Sequence, residues 1–401
     1  MGKIKISNEA VKAIKIGSLC SVSYLAVYIV RNILGAVSPQ MIESGDFTTE
    51  EIGLLSSVYF VTYALGQLIN GAIGDKIRAK YMISFGLFLA GISNSLLATT
   101  ASSKLAAVIT YGAAGFFLSM IYGPMTKVVA ENTQPIYATR CSLGYTFASF
   151  LGTPLAGILA AVLAWQWVFL FGSMALLLMG VVSFCVFTFF EKKGVIEYGK
   201  YKKEKTKGSV AVLVEHKIIK WTAIAFITGV VRTTVVFWLP TYLNQYLGFS
   251  TKKAAMIFTV STFILTFCSF TSVFIYERLH HNVNLTVFLA FLVSSCCFVA
   301  VWVLKSPILN TILLVAAIFS SNCASTMLYS RYCPSLRDTG MVSAATGFLD
   351  FISYISAGIS STVFANAVSS VGWNGLVLIW LCLVALGAII SFPSKKVKNQ
   401  P

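Results

Sequence analysis

The composition of this 401-residue chain excludes a soluble globular protein. Hydrophobic residues make up 57% of it and charged residues only 11%, and its mean hydropathy is +0.81, whereas about a quarter of a soluble domain is charged. The net charge of +16 could suggest a nucleic-acid partner, but the bases flank apolar segments, as they do in membrane proteins. We therefore predict an integral membrane protein that lies in a lipid bilayer and binds no nucleic acid.

Apolar runs of about 20 residues, the length that crosses a bilayer as a helix, recur along the chain. We count twelve and predict an all-α membrane protein with spans at 14–37, 52–74, 81–101, 105–128, 138–163, 166–190, 221–246, 254–277, 284–304, 308–331, 341–368 and 373–393. The longest polar interruption, residues 191–220, holds nine lysines and four glutamates. It predicts a basic cytoplasmic linker between two six-helix halves, 1–190 and 221–401.

The basic residues also predict the orientation of the chain. Most of the 30 lysines and arginines lie at the termini or in loops that follow even-numbered spans, and four lie in the opposite loops: Lys104, Lys252, Lys253 and Lys305. The positive-inside rule then places both termini in the cytoplasm. The loop 43–51, with four carboxylates and no base, is predicted on the outer side.

The first span carries an arginine deep in its apolar run. Arg31 lies more than a dozen residues into that run, where a charge is costly unless an anion or a water-filled cavity receives it. Tyr28 and Tyr24 share its helical face, and Tyr63 and Gln67 are stacked one turn apart in the second span. These side chains are predicted to line a polar binding site. For each tyrosine the alternative is ordinary core or interfacial packing.

The loop after the second span predicts a conformational gate. Its glycines allow close helix approach, and an acid beside bases at a helix end can form an ion pair that breaks when the halves move. The second half holds a weaker copy of this motif. The residues assigned to gating are Gly71, Asp75, Lys76, Arg78, Glu277 and Arg278. The alternative is an ordinary basic loop.

Features of the first half return in the second at offsets of 201 or 202 residues: Arg31-x7-Pro39 as Arg232-x7-Pro240, Phe47-Thr-Thr as Phe249-Ser-Thr, and Asp75-Lys76 as Glu277-Arg278. Such repetition predicts two halves of parallel topology related by an axis along the membrane normal. That symmetry would bring Arg31 and Arg232 across one cavity, where two guanidinium forks suit a divalent oxyanion. The alternative is that helix carbonyls or Asp350 satisfy each arginine.

Asp350 is the one carboxylate that we place well inside a span, where it is either protonated or paired with an arginine. It could balance an arginine in the empty site, bind a coupling proton or form a structural salt bridge. Pairing it with both arginines leaves a charge of +1, which favours exchange of one anion for another, because the empty site crosses the membrane poorly. Trp238 and Tyr354 could add an aromatic wall and a hydroxyl group.

Three stretches resemble the organophosphate:phosphate antiporter family of the major facilitator superfamily: Tyr24-x3-Tyr28-x2-Arg31, Arg232-x7-Pro240-Thr-Tyr-Leu and the run ending Gly71-x3-Asp75. That family includes glycerol-3-phosphate and hexose-6-phosphate transporters and a sugar-phosphate sensor. The resemblance implies that the two arginines bind phosphate, with tyrosines 24, 28, 63 and 354 beside them. The chain departs from the family at Gln67, where glycerol-3-phosphate carriers have lysine, at 147–149, which lack their histidine, and at Phe237, which replaces an acidic residue.

These observations predict a secondary active transporter that exchanges an organophosphate for inorganic phosphate by alternating access. We expect it in a bacterial inner membrane, as a monomer, with no cofactor or metal. No nucleophile motif, phosphate-binding loop or metal-ligand spacing supports an enzyme. Two alternatives stay open: a proton-coupled symporter of carboxylates or sugar acids, and a non-transporting receptor for sugar phosphates.

Overall fold

The computed structural model describes residues 7–74, 77–100, 102–198, 210–336 and 342–393. Within these ranges all regular elements are helices, which confirms the predicted all-α class. Eleven helical stretches are long and apolar enough to cross a membrane. The last of them contains two helices, so the described residues hold the twelve that the sequence predicts.

The first half of the chain forms six spans: α1, Asn8–Glu43; α2, Thr49–Gly74; α3, Ala79–Thr99; α4, Lys104–Asn132; α5, Pro135–Val162; and α6, Trp165–Lys192. Helix α1 is longer at both ends than the apolar run that predicted it. Helix α4 is interrupted between Leu118 and Tyr122.

The second half follows a short helix, Val210–Glu215, with α7, Ile218–Gln245; α8, Thr251–Arg278; α9, Val283–Val303; and α10, Pro307–Ser335. The final helical stretch, Val342–Ser391, runs for 50 residues but leaves helical geometry at Gly372, where φ is 67° and ψ is 179°. Glycine is the residue that reaches this backbone region without strain. The stretch is therefore two helices, α11 (342–371) and α12 (373–391).

Contacts divide the chain into two compact units. The first comprises residues 1–204 with 249–263, and the second comprises 205–248 with 264–401. The first half of α8 thus packs with the earlier helices, and the Thr259 hydroxyl lies 3.5 Å from the Pro154 carbonyl oxygen of α5. Of the predicted linker, the structure describes 191–198 and 210–220.

The acidic loop after α1 is closed by a base from α4. Lys104 pairs with Glu51 at 2.9 Å, donates to the Asp46 carbonyl oxygen and lies 4.0 Å from the centre of the Phe47 ring. Thr48 and Glu51 cap the start of α2 reciprocally, with backbone to side-chain distances of 2.9 and 3.2 Å. The last threonine of each copy of the Phe-Thr/Ser-Thr repeat, Thr49 or Thr251, is the first residue of a helix, α2 or α8, so the repeat marks the same structural position in both halves.

The first residues of the linker are held against the ends of α3, α4 and α6. Lys80 and Glu191 form an ion pair at 2.6 Å with side-chain exposures of 7% and 18%. Asn132 exchanges two hydrogen bonds with the backbone of Glu197, at 2.8 and 3.0 Å. Burial, and then the neighbouring Glu191 carboxylate, raise the pKa of Tyr198. The chain leaving α6 is therefore fixed to the first unit as far as Tyr198.

Candidate functional site

Arg31 lies among aromatic rings contributed by α1 and α2. Its Cζ is 4.9 Å from the ring centre of Tyr63, 5.3 Å from that of Tyr28 and 5.8 Å from that of Phe60. The arginine is half-buried, whereas Tyr63 and Phe60 are buried. A ring face attracts the cation without accepting one of its N–H groups. These ring contacts hold the guanidinium in place, and its planar fork of N–H donors is of a type suited to an oxyanion.

A second group of tyrosines continues from Arg31 along α1. The Tyr24 ring is 4.9 Å from Tyr28, 5.6 Å from Tyr122 of α4 and 6.1 Å from Tyr145 of α5. Sequence reasoning found Tyr24 and Tyr28 but missed Tyr122 and Tyr145. Tyr122 follows the interruption in α4, which is a local signal; Tyr145 has no signal of its own, because its place depends on how α5 packs.

Behind the arginine, Tyr63 stacks on a further pair of buried tyrosines. The rings of Tyr59 and Tyr63 are 6.3 Å apart, and those of Tyr59 and Tyr111 are 4.9 Å apart. Gln67 lies half-buried one turn beyond Tyr63 on α2. The structure thus brings together Arg31, Tyr24, Tyr28 and Tyr63 in one cluster, and Gln67 continues the same helical face.

Arg232 occupies an irregular part of α7. It lies in a π-helical segment, Val230–Val235, and its Cζ is 5.8 Å from the ring centre of Tyr329. Tyr329 itself lies in a second π-helical segment, Leu328–Tyr332, in α10. Such segments are rare in proteins as a whole, but those that occur are often found at functional sites. They alter which face of the helix a side chain occupies. Neither segment, nor Tyr329, was predicted from the sequence.

The Tyr329 hydroxyl connects the polar residues of the second unit. It shares a hydrogen bond of 2.9 Å with the Ser353 hydroxyl of α11, and it interacts electrostatically with Arg232, Asp350 and Tyr354. Asp350 is half-buried and Tyr354 is buried. Three residues predicted separately, Arg232, Asp350 and Tyr354, therefore lie close enough to interact with one tyrosine that sequence reasoning missed.

The other predicted site residues have more varied positions. Trp238 is fully buried between Phe237 and Trp373, with ring centres 5.3 and 6.4 Å away, so it supports α7 from inside the second unit. Its role in binding stays a prediction.

The role of the gating residues also stays a prediction. Asp75 and Lys76 lie outside the described residues. The other four lie at or next to the ends of helices: Gly71 in α2, exposed Arg78 before α3, and Glu277 and Arg278 at the end of α8.

A sequence model of the Major Facilitator Superfamily matches residues 20–361, which is most of the chain. The chain belongs to the major facilitator superfamily. Membership confirms the predicted superfamily and the predicted class, a membrane transport protein rather than an enzyme.

Two relatives that match most of this chain are named as transporters of phosphate esters. The phosphoglycerate transporter protein of Salmonella typhimurium is 23% identical over 92% of this chain and 88% of its own length. The glycerol-3-phosphate transporter of Bacillus subtilis is 22% identical over 91% of this chain and 88% of its own. A shorter match, to the membrane sensor protein UhpC of Salmonella typhimurium, is 30% identical but covers 20% of this chain and only 18% of the sensor.

A solved structure of another transporter homologue shares the fold of this chain. A bacterial homologue of the human lysosomal transporter Spinster, in an inward-facing and unoccupied conformation, aligns with a TM-score of 0.82 and 13% identity over 95% of this chain and 96% of that one. At this identity the likeness concerns the fold alone.

Close packing of α7 on α11 fixes the residues around Arg232. A Cβ on Gly229 would lie 2.5 Å from the Ser353 carbonyl oxygen and 2.6 Å from its Cα. We expect Gly229→Ala to push the helices apart and to lower transport in proteoliposomes about tenfold or more, since small misplacements of binding groups have large effects. Gly347→Ala in α11 meets nothing within 4 Å and is the matched control. Equal transport by both variants would show that this contact does not position the site.

Proposed function

We propose that the protein is a secondary active transporter that exchanges an organophosphate for inorganic phosphate by alternating access. The observation that carries the proposal is the pair of arginine clusters, one in each unit. Arg31 lies twelve residues before the end of α1, and Arg232 lies thirteen residues before the end of α7. Each guanidinium lies against tyrosine, and each helix continues through a proline, Pro39 or Pro240.

The chemistry of a phosphate monoester suits two such clusters. It carries up to two negative charges and three terminal oxygens, and a guanidinium can donate two parallel hydrogen bonds to a pair of them. In the proposal both arginines face one cavity, and the bound ester completes the coordination of both. Binding would therefore favour the state in which the two halves close around it. The names of the phosphoglycerate and glycerol-3-phosphate transporters support this substrate class.

Charge balance favours exchange over one-way transport. Two guanidiniums and the Asp350 carboxylate sum to +1 in the empty site, and an unpaired charge at the centre of a bilayer costs about 2.5–3.5 kcal/mol. A phosphate that binds as the monoanion brings that sum to zero. The loaded transporter is thus expected to reorient readily and the empty one slowly, which couples the outward movement of one anion to the inward movement of another.

The remaining parts of the proposal concern orientation and assembly. We place both termini and the basic linker in the cytoplasm of a bacterial cell, in its inner membrane, on the positive-inside rule. The working unit is a monomer, and the gating residues named above would form or break contacts as the two halves rock.

The proposal is tested by thermal unfolding of the purified protein with a panel of anions. Because a ligand that binds the folded state stabilises it, glycerol 3-phosphate, phosphoglycerate and inorganic phosphate are expected to raise the Tm, and sugar acids of equal size are not. Stabilisation by gluconate or glucuronate alone would overturn the proposed substrate class in favour of a carboxylate transporter.

A second candidate is a receptor that binds sugar phosphate without transporting it, because the sensor UhpC of Salmonella typhimurium matches a fifth of the chain. Proteoliposomes loaded with unlabelled phosphate distinguish the two. Accumulation of labelled phosphate by counterflow is expected of an exchanger, whereas binding without counterflow would favour the receptor.

A further inference from the structure

A groove separates the first turns of α1 from those of α5 within the first unit. Its volume is about 460 Å³, and its wall is mainly apolar or small, with Ala10, Ile14 and Val22 from α1 and Gly144 from α5. It extends from Ala10 to Val22, which at 1.5 Å per helical residue is about 18 Å. One leaflet of a bilayer has a hydrocarbon depth of roughly 15 Å. The groove is thus about as long as one leaflet is deep.

The charge at the groove lies at one end. Arg140 lines it near the start of α5, is exposed, and lies 5.6 Å from the ring centre of Tyr137. The Tyr137 hydroxyl is 3.3 Å from the hydroxyl of Ser7, the residue that caps α1. An arginine, a tyrosine and a helix cap therefore meet where the two membrane-crossing helices begin.

We propose that this groove binds an anionic phospholipid, with the headgroup phosphate on Arg140 and one acyl chain along α1. The groove matches a phospholipid in charge and shape. Arg140, the one cation among its described lining residues, lies at one end and suits the headgroup phosphate, and the rest of the groove is mainly apolar and about as long as one leaflet is deep. Basic pockets between membrane helices are suited to anionic headgroups for this reason. The site is separate from the Arg31 cluster and goes beyond the proposed transport function.

The test compares two lipids that share their acyl chains but differ in headgroup charge. Dioleoylphosphatidylglycerol is expected to raise the Tm of the purified protein in detergent more than dioleoylphosphatidylcholine does. Arg140→Gln should require about tenfold more of the anionic lipid for the same shift, since a charge-assisted contact is lost. Lys15→Gln is the matched control, because Lys15 is exposed at the same depth of α1 and does not line the groove; it should respond like the unchanged protein.

A second variant tests the acyl-chain part of the groove. Ser18→Phe places a ring in the groove, and it should remove the response to both lipids. The inference fails if Arg140→Gln keeps the preference for phosphatidylglycerol, or if the two lipids stabilise the unchanged protein equally. It also fails if water-soluble glycerol 3-phosphate gives the same Arg140-dependent shift, because the groove would then be a site for free phosphate esters. None of these results bears on Arg31 and Arg232.

Discussion

Replacing Arg31 or Arg232 by lysine is expected to lower phosphate exchange in proteoliposomes about a hundredfold or more. Lysine keeps the charge but loses the planar fork that binds two phosphate oxygens and packs against the ring of Tyr63 or Tyr329. Two charge-assisted hydrogen bonds contribute on the order of 3 kcal/mol, which corresponds to about two powers of ten in affinity.

The control for these variants is a lysine at an arginine outside the two clusters. Arg140→Lys, at the exposed start of α5, should exchange phosphate at the unchanged rate. Exchange is measured as the uptake of labelled phosphate into vesicles that contain unlabelled phosphate. Full activity in either Arg31→Lys or Arg232→Lys would show that charge alone is needed there, and the role of the guanidinium fork would be lost.

Replacing Asp350 by asparagine is expected to separate exchange from net transport. The change raises the summed charge of the proposed empty site from +1 to +2, because a neutral amide replaces its carboxylate. One further unpaired charge at the centre of the membrane costs about 3 kcal/mol, so net efflux into anion-free buffer should fall on the order of a hundredfold. Exchange uses only the loaded transporter, in which a phosphate dianion cancels the charge of +2, and it should stay within about threefold of the unchanged rate.

The same variant distinguishes antiport from proton symport. If Asp350 carried a coupling proton, Asp350→Asn would abolish accumulation driven by an imposed proton gradient, and unchanged protein would accumulate substrate without phosphate inside the vesicles. Asp350→Glu keeps the carboxylate beside Tyr329 and is the matched control. Gradient-driven uptake that ignores internal phosphate would contradict the exchange mechanism.

The sequence predicts those parts of the molecule that depend on local chemistry. Apolar runs define the spans, and each copy of the repeated Phe-Thr/Ser-Thr stretch ends on the first residue of a helix, α2 or α8. The sequence also shows how deep Arg31 and Arg232 lie within their apolar runs. That depth indicates a function, because a charge buried in hydrocarbon is costly however the helices pack. Even the boundary between α11 and α12 fell close to Gly372, where the run of apolar residues pauses.

The missed features depend on packing between helices. Phe60, Tyr145 and Tyr329 lie against the site because α2, α5 and α10 present a particular face, and an aromatic residue in an apolar helix gives no periodic signal to distinguish this from core packing. The π-helical segments at Arg232 and Tyr329 have backbone hydrogen bonds between residues five apart instead of four, and they contain no glycine or proline that would indicate this from the sequence. The base that pairs with the acidic loop 43–51 was missed for a similar reason: Lys104 reaches that loop from α4.

The most direct test of the account is an experimental structure of the protein with glycerol 3-phosphate bound. We expect one phosphate group whose oxygens lie about 2.7–2.9 Å from guanidinium nitrogens of both Arg31 and Arg232, as in bidentate arginine contacts. A phosphate held by only one of the two arginines, or two arginines that open into different compartments, would contradict the proposal that one small anion joins the two halves.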